Sequence, residues 1–342
     1  MHVTLIDDSI PFDPRSPDTI PLGGVEKAFL SLAQAFAARG HKVQVFNRAP
    51  SRVEAEGAVW EGWDAARPER SDVVIAHRRP SLLDQVPEAR IKMLWVPGTG
   101  GYLEKEHNRS RLLLHKPITV FSSRGAIDGW DNEFRVRIGL IAPGVRDIFR
   151  NGPNVEPADL PRAVVTVHPL HGLSWLVRLW RAKIRPVVPR AELHIYSGAL
   201  YKGIAGEPVA PAFDDVLRTV QAADEDGVIV QRPLDDLAMA GVYRSARVHL
   251  HPGMREEIYC YTLSESQACG LPAVARPRGG VRSLVVDDTS GLLADEDDAF
   301  ANSALRILND QKTFDRLALG ARSLQRDRDW DGVASEFEAL WA

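Results

Sequence analysis

Val3-Thr4-Leu5-Ile6-Asp7-Asp8 is a short apolar run that ends in two carboxylates. A polar, proline-rich loop from Pro11 to Pro21 follows it, and Gly23-Gly24 then changes the period. Val25, Ala28, Phe29, Leu32, Ala33 and Phe36 fall on one face of a helix, which Gly40 stops. Lys42 to Phe46 resumes a strand pattern through Val43, Val45 and Phe46. Strand, loop, helix and strand at this scale make a βαβ unit, and its right-handed crossover sets the two strands parallel.

The same grammar runs on through Asp72–Ala76, Met93–Val96, Ile118–Phe121 and Leu140–Val145. Short β-branched or aromatic runs bounded by turn residues are the mark of parallel strands buried on both faces. Asn151 to Pro161 carries three prolines among polar residues and reads as a linker. The pattern then resets at Ala163–Val167, followed by a helical face of Leu173, Leu176, Val177, Trp180 and Ile184. Further strands are expected at Glu192–Tyr196, Gly227–Val230, Val248–Leu250 and Ala273–Ala275. One helix is expected over Phe300–Leu317, and a last one from Trp330-Asp331 with Val333, Phe337, Leu340 and Trp341 on its apolar side. That apolar side must dock, and the seam between the domains is the expected place.

The boundaries that follow are a first domain over 1–150, a linker over 151–161, a second domain over 162–326, and a terminal helix over 327–342 that crosses back to the first domain. A chain of 342 residues exceeds what one hydrophobic core usually organises, so two α/β domains are the natural division. With 42 basic and 46 acidic residues the net charge is −4, which argues against a nucleic-acid binder while leaving room for a small anionic ligand. Cys260 and Cys269 do not make a disulfide framework or a CxxC pair, and are expected as reduced thiols. No signal peptide and no run of 18 apolar residues is visible, so a cytoplasmic chain is expected.

Two glycine-rich turns and one acidic loop carry the candidate chemistry. Gly23-Gly24 opens a helix after a strand, which suits an anion near its amino end, although its spacing is neither GxGxxG nor a P-loop. A plain turn is the competing reading. The stronger signal is Glu257-Ile258-Tyr259-Cys260-Tyr261-Thr262-Leu263-Ser264-Glu265, leading to Ser266-Gln267-Ala268-Cys269-Gly270-Leu271-Pro272. Two carboxylates flank a short loop, and the second lies in the first turns of a helix. One carboxylate can accept hydrogen bonds from sugar hydroxyls, the other from ribose hydroxyls. The amides of Thr262, Leu263 and Ser264 can meet the phosphates between them. Solvated surface glutamates are the bland alternative. The position beyond a parallel strand favours a ligand. Arg276-Pro277-Arg278-Gly279-Gly280 follows the next strand and offers cations or, equally, a solvated basic turn. His77, His168 and His171 sit after other strands, but no HExxH spacing supports zinc, and no metal is expected.

Taken in order, these motifs resemble the retaining GT-B glycosyltransferases of the family 4 type over nearly the whole chain. The glycine pair at Gly23-Gly24, Arg39-Gly40-His41-Lys42-Val43, the spacing of Glu257 and Glu265, Gly270-Leu271-Pro272, Gly279-Gly280, Ser290-Gly291-Leu292-Leu293 and Trp330-Asp331-Gly332 carry the resemblance. It implies an α/β GT-B fold, with two Rossmann-like doubly wound domains facing across a cleft. Acceptor choice would belong to the first domain and a nucleotide diphosphate sugar to the second. On this resemblance Glu257 lies near the donor sugar, Glu265 binds the ribose, and Gly24 and Gly280 approach phosphate or sugar. The nucleobase rests near Val230–Leu234, including Arg232 and Leu234, and His77 aligns with a first-domain histidine near the donor sugar.

One departure stands out. The family's diphosphate-binding cations, an Arg or Lys and then a Lys before glycine, are replaced in Val167-His168-Pro169-Leu170-His171-Gly172. His171 takes the lysine's place, and Lys202 or Arg278 are the candidate substitutes. The resemblance implies transfer with retention to a hydroxyl acceptor, from a UDP- or GDP-sugar, without a cofactor or an essential metal. A saccharide, a lipid-linked saccharide or a small hydroxyl compound would be the acceptor, in a setting such as cell-surface polysaccharide or glycolipid assembly. Glu104–Lys116 is a basic, partly amphipathic candidate for contact with the inner face of a membrane; a solvated helix fits it as well. The alternatives are a catalytically weak sugar-nucleotide or glycan-binding relative, and an epimerase or phosphorylase on the same fold.

Overall fold

The computed structural model describes residues 1–341 and divides them into two compact units, Met1–Gly144 with the chain from Arg328 onward, and Val145–Asp327. In the first unit an eight-stranded sheet is built from β1 (His2–Ile6), β2 (Lys42–Phe46), β3 (Val53–Ala55), β4 (Ala58–Glu61), β5 (Arg70–His77), β6 (Glu88–Val96), β7 (Ile118–Phe121) and β8 (Ile138–Leu140). Its order is β3-β4-β2-β1-β5-β6-β7-β8. All neighbours pair parallel except β3 with β4, a hairpin whose turn residues Glu56 and Gly57 both have positive φ. Its strands, three and four residues long and half exposed, are too short to carry a distinctive hydrophobic period.

The middle of the sheet is a double-sided core. Val3, Leu5 and Ile6 of β1 and Val73 to Ala76 of β5 are fully buried, with Val3 paired to Val43 on one side and to Val73 on the other. Helix α1 (Gly24–Ala38) covers one face, and its Phe29 meets Phe12 and Trp60 edge-on at centroid distances of 6.1 and 6.4 Å. Helix α2 (Glu106–His115) lies between β6 and β7 in the chain. The C-terminal helix, Trp330–Trp341, packs in this first unit against α1. Its Phe337 is fully buried between Phe36 and Trp95, with centroids 6.2 and 5.5 Å away. Arg39, following α1, reaches both Asp331 and Glu338 of that helix at 2.9 and 2.6 Å. Burial of an aromatic side chain of this size stabilises by roughly 1.5–3 kcal/mol, whereas the half-exposed ion pairs add less.

The second unit begins earlier than residue 151. Val145 and Phe149 are buried with Tyr243 and Ala246 in its core, so the end of the expected first domain belongs here. Helix α3 (Asp147–Arg150) precedes the proline-rich segment, which is pinned rather than loose: the Glu156 and Ala158 amides donate to the Arg244 and Ser245 carbonyls at 2.9 and 3.0 Å. The strands are β9 (Arg162–Val165), β10 (Glu192–Tyr196), β11 (Val228–Gln231), β12 (Val248–His251), β13 (Ala273–Ala275) and β14 (Gly291–Leu293), all parallel, in the order β11-β10-β9-β12-β13-β14. Numbered within the unit this is 3-2-1-4-5-6, the doubly wound order whose switch point lies between β9 and β12.

The helices of this unit are α4 (Leu173–Leu179), α5 (Gly198–Ile204), α6 (Asp214–Gln221), α7 (Asp236–Ser245), α8 (Tyr261–Ala268), α9 (Asp297–Asn309) and α10 (Gln311–Gln325). The single helix expected over 300–317 is two. Asp310 takes an extended backbone, and its carboxylate caps the next helix by accepting from the Lys312 and Thr313 amides at 3.1 and 3.3 Å. Apolar spacing carries through this break, which is why period alone missed it.

Candidate active site

In the second unit the loops that leave β9, β12 and β13 come together beyond the carboxyl ends of the strands. Glu257 lies in the loop between β12 and α8, and Glu265 lies inside α8. This helix is buried nearly all round, from Leu263 to Ala268, and Glu265 is only 7% exposed. The lack of amphipathic period in α8 follows from that burial. Thr262, Leu263 and Ser264 occupy its first turn, with Leu263 fully buried and the Ser264 hydroxyl donating to the Tyr261 carbonyl at 2.8 Å.

The Glu257 loop is clamped from both sides by glycine. A Cβ on Gly280 would stand 2.3 Å from the Ile258 carbonyl oxygen, and one on Gly279, with φ +52°, would stand 2.5 Å from that of Glu257. The Gly280 amide donates to the Glu257 carbonyl at 2.6 Å. Gly280 thus spends its N–H on holding the loop. On the other side Gly172, in the left-handed region at φ +82°, lies against Pro252, where a Cβ would come within 2.9 Å. The fold therefore brings His171-Gly172 to the start of the Glu257 loop, with the His168 and His171 rings 4.7 Å apart. Burial and the neighbouring His171 ring hold His168 below the usual histidine range.

A chain of polar contacts missed in the sequence runs beneath these loops. Ser266 Oγ lies 2.8 Å from His249 Nδ1, and His249 Nε2 lies 3.1 Å from Thr166 Oγ1. Thr166 donates to Thr262 Oγ1 at 2.8 Å, and Thr262 is 3.5 Å from Cys260 Sγ. Cys260 is 4.0 Å from His251 Nδ1, and His251 Nε2 is 2.8 Å from Glu257 Oε2. Burial drives His249 down to about 3, so it is neutral. Burial alone would lower His251 too, but Cys260 and Glu257 outweigh it and hold the ring up to about 10. An imidazolium thus fixes one oxygen of Glu257 in place. Two histidines alternating in a strand buried at every position, Val248-His249-Leu250-His251, were the available sequence signal.

The other cation candidates are less central. Arg278 pairs with Asp295 at 2.8 Å, as does Arg276 at 2.9 Å. Lys202 is exposed on α5. Arg232 is exposed just past the end of β11, and Leu234 is partly buried against the cluster around Tyr243.

The first unit has its own polar centre at the switch point between β1 and β5. Asp7 follows β1 and His77 ends β5, and Asp7 Oδ2 lies 2.5 Å from His77 Nδ1 with both side chains buried. Burial would raise Asp7, but the His77 contact and the Ser9 hydrogen bonds carry it down to about 2. His77 is itself held below its usual range by burial, and its Nε2 has no partner. Gly23 caps α1, and a Cβ there would strike the Glu26 carboxylate, which pairs with Arg78 beside Asp7. Gly24 is the first residue of the helix. On α2 the arginines are largely neutralised, Arg109 by Glu104 and Glu133 and Arg111 by Asp84, while Leu113 and Leu114 are 53% and 70% exposed.

Residues 163–310 match the family described as "Glycosyl transferases group 1". The chain is 35% identical over 142 residues to the D-inositol 3-phosphate glycosyltransferase of Xylanimonas cellulosilytica, covering 41% of this chain and 34% of that protein. It is 33% identical over 102 residues to a GDP-mannose-dependent alpha-mannosyltransferase of Mycolicibacterium smegmatis, covering 29% of this chain and 26% of the relative. The chain thus spans about a third or less of the length of these two curated relatives. Among solved structures, sucrose-phosphate synthase from Thermosynechococcus elongatus superposes with a TM-score of 0.71 at 18% identity, over 99% of this chain and 98% of its own. Anabaena HepE in complex with UDP and glucose does so with 0.70 at 14% identity, over 99% of both chains. Two Rossmann-like lobes of this kind make the GT-B fold.

Proposed function

We propose that the chain is a retaining glycosyltransferase that moves a sugar from a nucleotide diphosphate donor to a hydroxyl acceptor, with the donor held by the second unit. The observation that carries the proposal is the pair Glu257 and Glu265, brought to the switch point of a 3-2-1-4-5-6 sheet, one in a clamped loop and one in a buried helix. The match of residues 163–310 to the glycosyl transferases and the names of the relatives support it.

In this proposal Glu265 accepts hydrogen bonds from the ribose, and Glu257 accepts them from the sugar through the oxygen not engaged by His251. The first-turn amides of α8 at Thr262 and Leu263 face the diphosphate, where the helix terminus favours negative charge, while the Ser264 amide donates to the Cys260 carbonyl at 3.2 Å. Cleavage of the bond between sugar and phosphate leaves negative charge on the nucleoside diphosphate and positive character on the anomeric carbon. Stabilising that leaving group is the main task of the protein. The leaving phosphate takes the acceptor proton on the same face, so configuration is retained without a covalent sugar–protein intermediate. No metal is required, since His171 and the helix terminus supply the charge compensation.

Arg232 and Leu234 flank the base. The acceptor is a saccharide, a lipid-linked saccharide or a small hydroxyl compound, and a nucleotide-sugar donor places the reaction in the cytoplasm. Exposed Leu113 and Leu114, with exposed Arg90 and Lys116 nearby in sequence or sheet, support a peripheral contact at the inner face of a membrane. No described helix is long and apolar enough to cross one. The test is a screen of UDP-, GDP- and ADP-sugars for binding and for transfer or hydrolysis. Tight binding with no turnover on any acceptor would favour a catalytically weak sugar-nucleotide-binding relative instead.

A further inference from the structure

Three side chains of different donor chemistry converge where β12 gives way to the Glu257 loop. His251 is the last residue of the strand, Glu257 lies in the loop, and Cys260 is the N-cap of α8. One donor atom from each, an imidazole nitrogen, a carboxylate oxygen and a thiol sulfur, lie within 4.8 Å of one another. Among the described residues no other set of three histidine, cysteine or acidic side chains does so. His251 and Cys260 are buried, at 2% and 3% exposure, and the Glu257 side chain at 21% is the opening to solvent.

We propose that His251, Glu257 and Cys260 form a binding site for a borderline-soft divalent cation of the zinc type, and that its occupation blocks the donor site. The donor set suits that class of ion: sulfur and imidazole nitrogen favour zinc over magnesium or calcium, which take oxygen. Zinc bonds of about 2.0–2.3 Å in a tetrahedral arrangement put ligand atoms roughly 3.3–3.7 Å apart. The shortest contacts, 2.8 Å from His251 Nε2 to Glu257 Oε2 and 4.0 Å from His251 Nδ1 to Cys260 Sγ, are made to different ring nitrogens, while one donor atom from each residue lies within 4.8 Å of the others. The ring now offers Nε2 to one partner and Nδ1 to the other, and an ion can use only one of these. Closure on one nitrogen therefore needs a new side-chain rotamer at Glu257, while the Gly280 amide keeps the backbone of the loop in place. His251 is fixed by the strand.

Binding replaces protons and changes no oxidation state. The ion is held by the Cys260 thiolate, one imidazole nitrogen and a Glu257 carboxylate oxygen, and whatever protons those three atoms carried pass to solvent. Three protein ligands leave a fourth position for water on the exposed Glu257 side. Because the ion takes the carboxylate assigned to the donor sugar, its effect is inhibitory; this consequence rests on the proposed function, whereas the site itself does not.

The experiment uses the full reduced chain, stripped with a chelator and titrated without oxygen with Co2+ alone, whose thiolate charge-transfer absorption reports Cys260 directly. The expected result is one equivalent bound with that absorption, discharged by Zn2+, absent in Cys260→Ser and weakened roughly tenfold or more in His251→Gln. Cys269→Ser, which changes a thiol buried elsewhere, keeps the absorption. Circular dichroism checks that each variant is folded, and His251→Gln decides if Cys260→Ser is not. No thiolate absorption, or an absorption that survives in folded Cys260→Ser, overturns the site. In parallel, one equivalent of Zn2+ is expected to weaken nucleotide-sugar binding about tenfold in the unsubstituted chain. If the stripped chain binds no nucleotide sugar, the donor assignment fails and the cobalt spectrum still decides the metal site. If it binds the donor equally with and without Zn2+, the blocking role is overturned.

Discussion

The Gly280 amide donates to the Glu257 carbonyl at 2.6 Å, so the turn after β13 holds the carboxylate loop after β12 by its backbone. Gly280→Ala would place a methyl group 2.3 Å from the Ile258 carbonyl oxygen, and backbone must move to admit it. The expected cost is about 1–3 kcal/mol in stability, with a larger fractional loss of donor affinity because the displaced segment is the one that carries Glu257. Denaturant unfolding read beside a donor titration separates the two effects. Unchanged donor affinity would show that the loop position does not matter.

His171 lies next to Gly172, which touches Pro252 at the root of the Glu257 loop. His171→Lys puts a fixed cation there. A charge-assisted contact to a diphosphate contributes about 1.5–3 kcal/mol, so donor affinity should rise roughly ten- to hundredfold. The gain should extend to the bare nucleoside diphosphate and shrink with added salt. No gain for either ligand would place His171 away from the phosphates.

Acid should weaken the first unit through Asp7. Its carboxyl is depressed from 3.8 to about 2 in the fold, so the stabilisation is complete above pH 4 and is lost as pH falls from about 4 to about 2. At about 1.4 kcal/mol per unit this amounts to about 2 kcal/mol. His77, lowered by burial, adds loss in the same direction at higher pH, because the unfolded chain protonates first. Asp7→Asn should be less stable at neutral pH and should show a flatter acid limb below pH 4 in urea unfolding. An acid limb identical to that of the unsubstituted chain would contradict this.

Phe337 anchors the terminal helix in the core of the first unit, between Phe36 and Trp95. Phe337→Ala should cost about 3–5 kcal/mol. Hydrogen exchange should show the loss concentrated in α1 and the terminal helix, with the strands of the second unit protected as before. Uniform loss across both sheets would argue that the two units unfold as one.

Much of this fold is legible in the chain because parallel strands buried on both faces must be apolar throughout. Val3–Ile6, Val73–Ala76 and Val164-Val165 announce themselves. The hairpin at Glu56-Gly57 does not, since short half-exposed strands have no distinctive period, and the break at Asp310 hides inside continuous apolar spacing. For the site, the spacing of Glu257 and Glu265 could be read directly. Their supports could not: Thr166 is far from Thr262 in sequence, and Asp7 from His77, and only the folded sheet brings each pair within hydrogen-bonding distance. His251 carried a local signal as a polar residue in a buried strand. That it meets Glu257 follows only from the folded loop.

The donor assignment is tested most directly by calorimetric titration of the unsubstituted chain, Glu265→Ala and Glu257→Gln, each with a nucleoside diphosphate and with the matching nucleotide sugar. Glu265→Ala should lose about 1–3 kcal/mol of affinity for both ligands, having lost the ribose contact. Glu257→Gln should bind the bare nucleotide as before and lose the added affinity, and the turnover, that belong to the sugar. Equal affinities across all three folded proteins for both ligands would contradict the placement of the donor on this pair of glutamates.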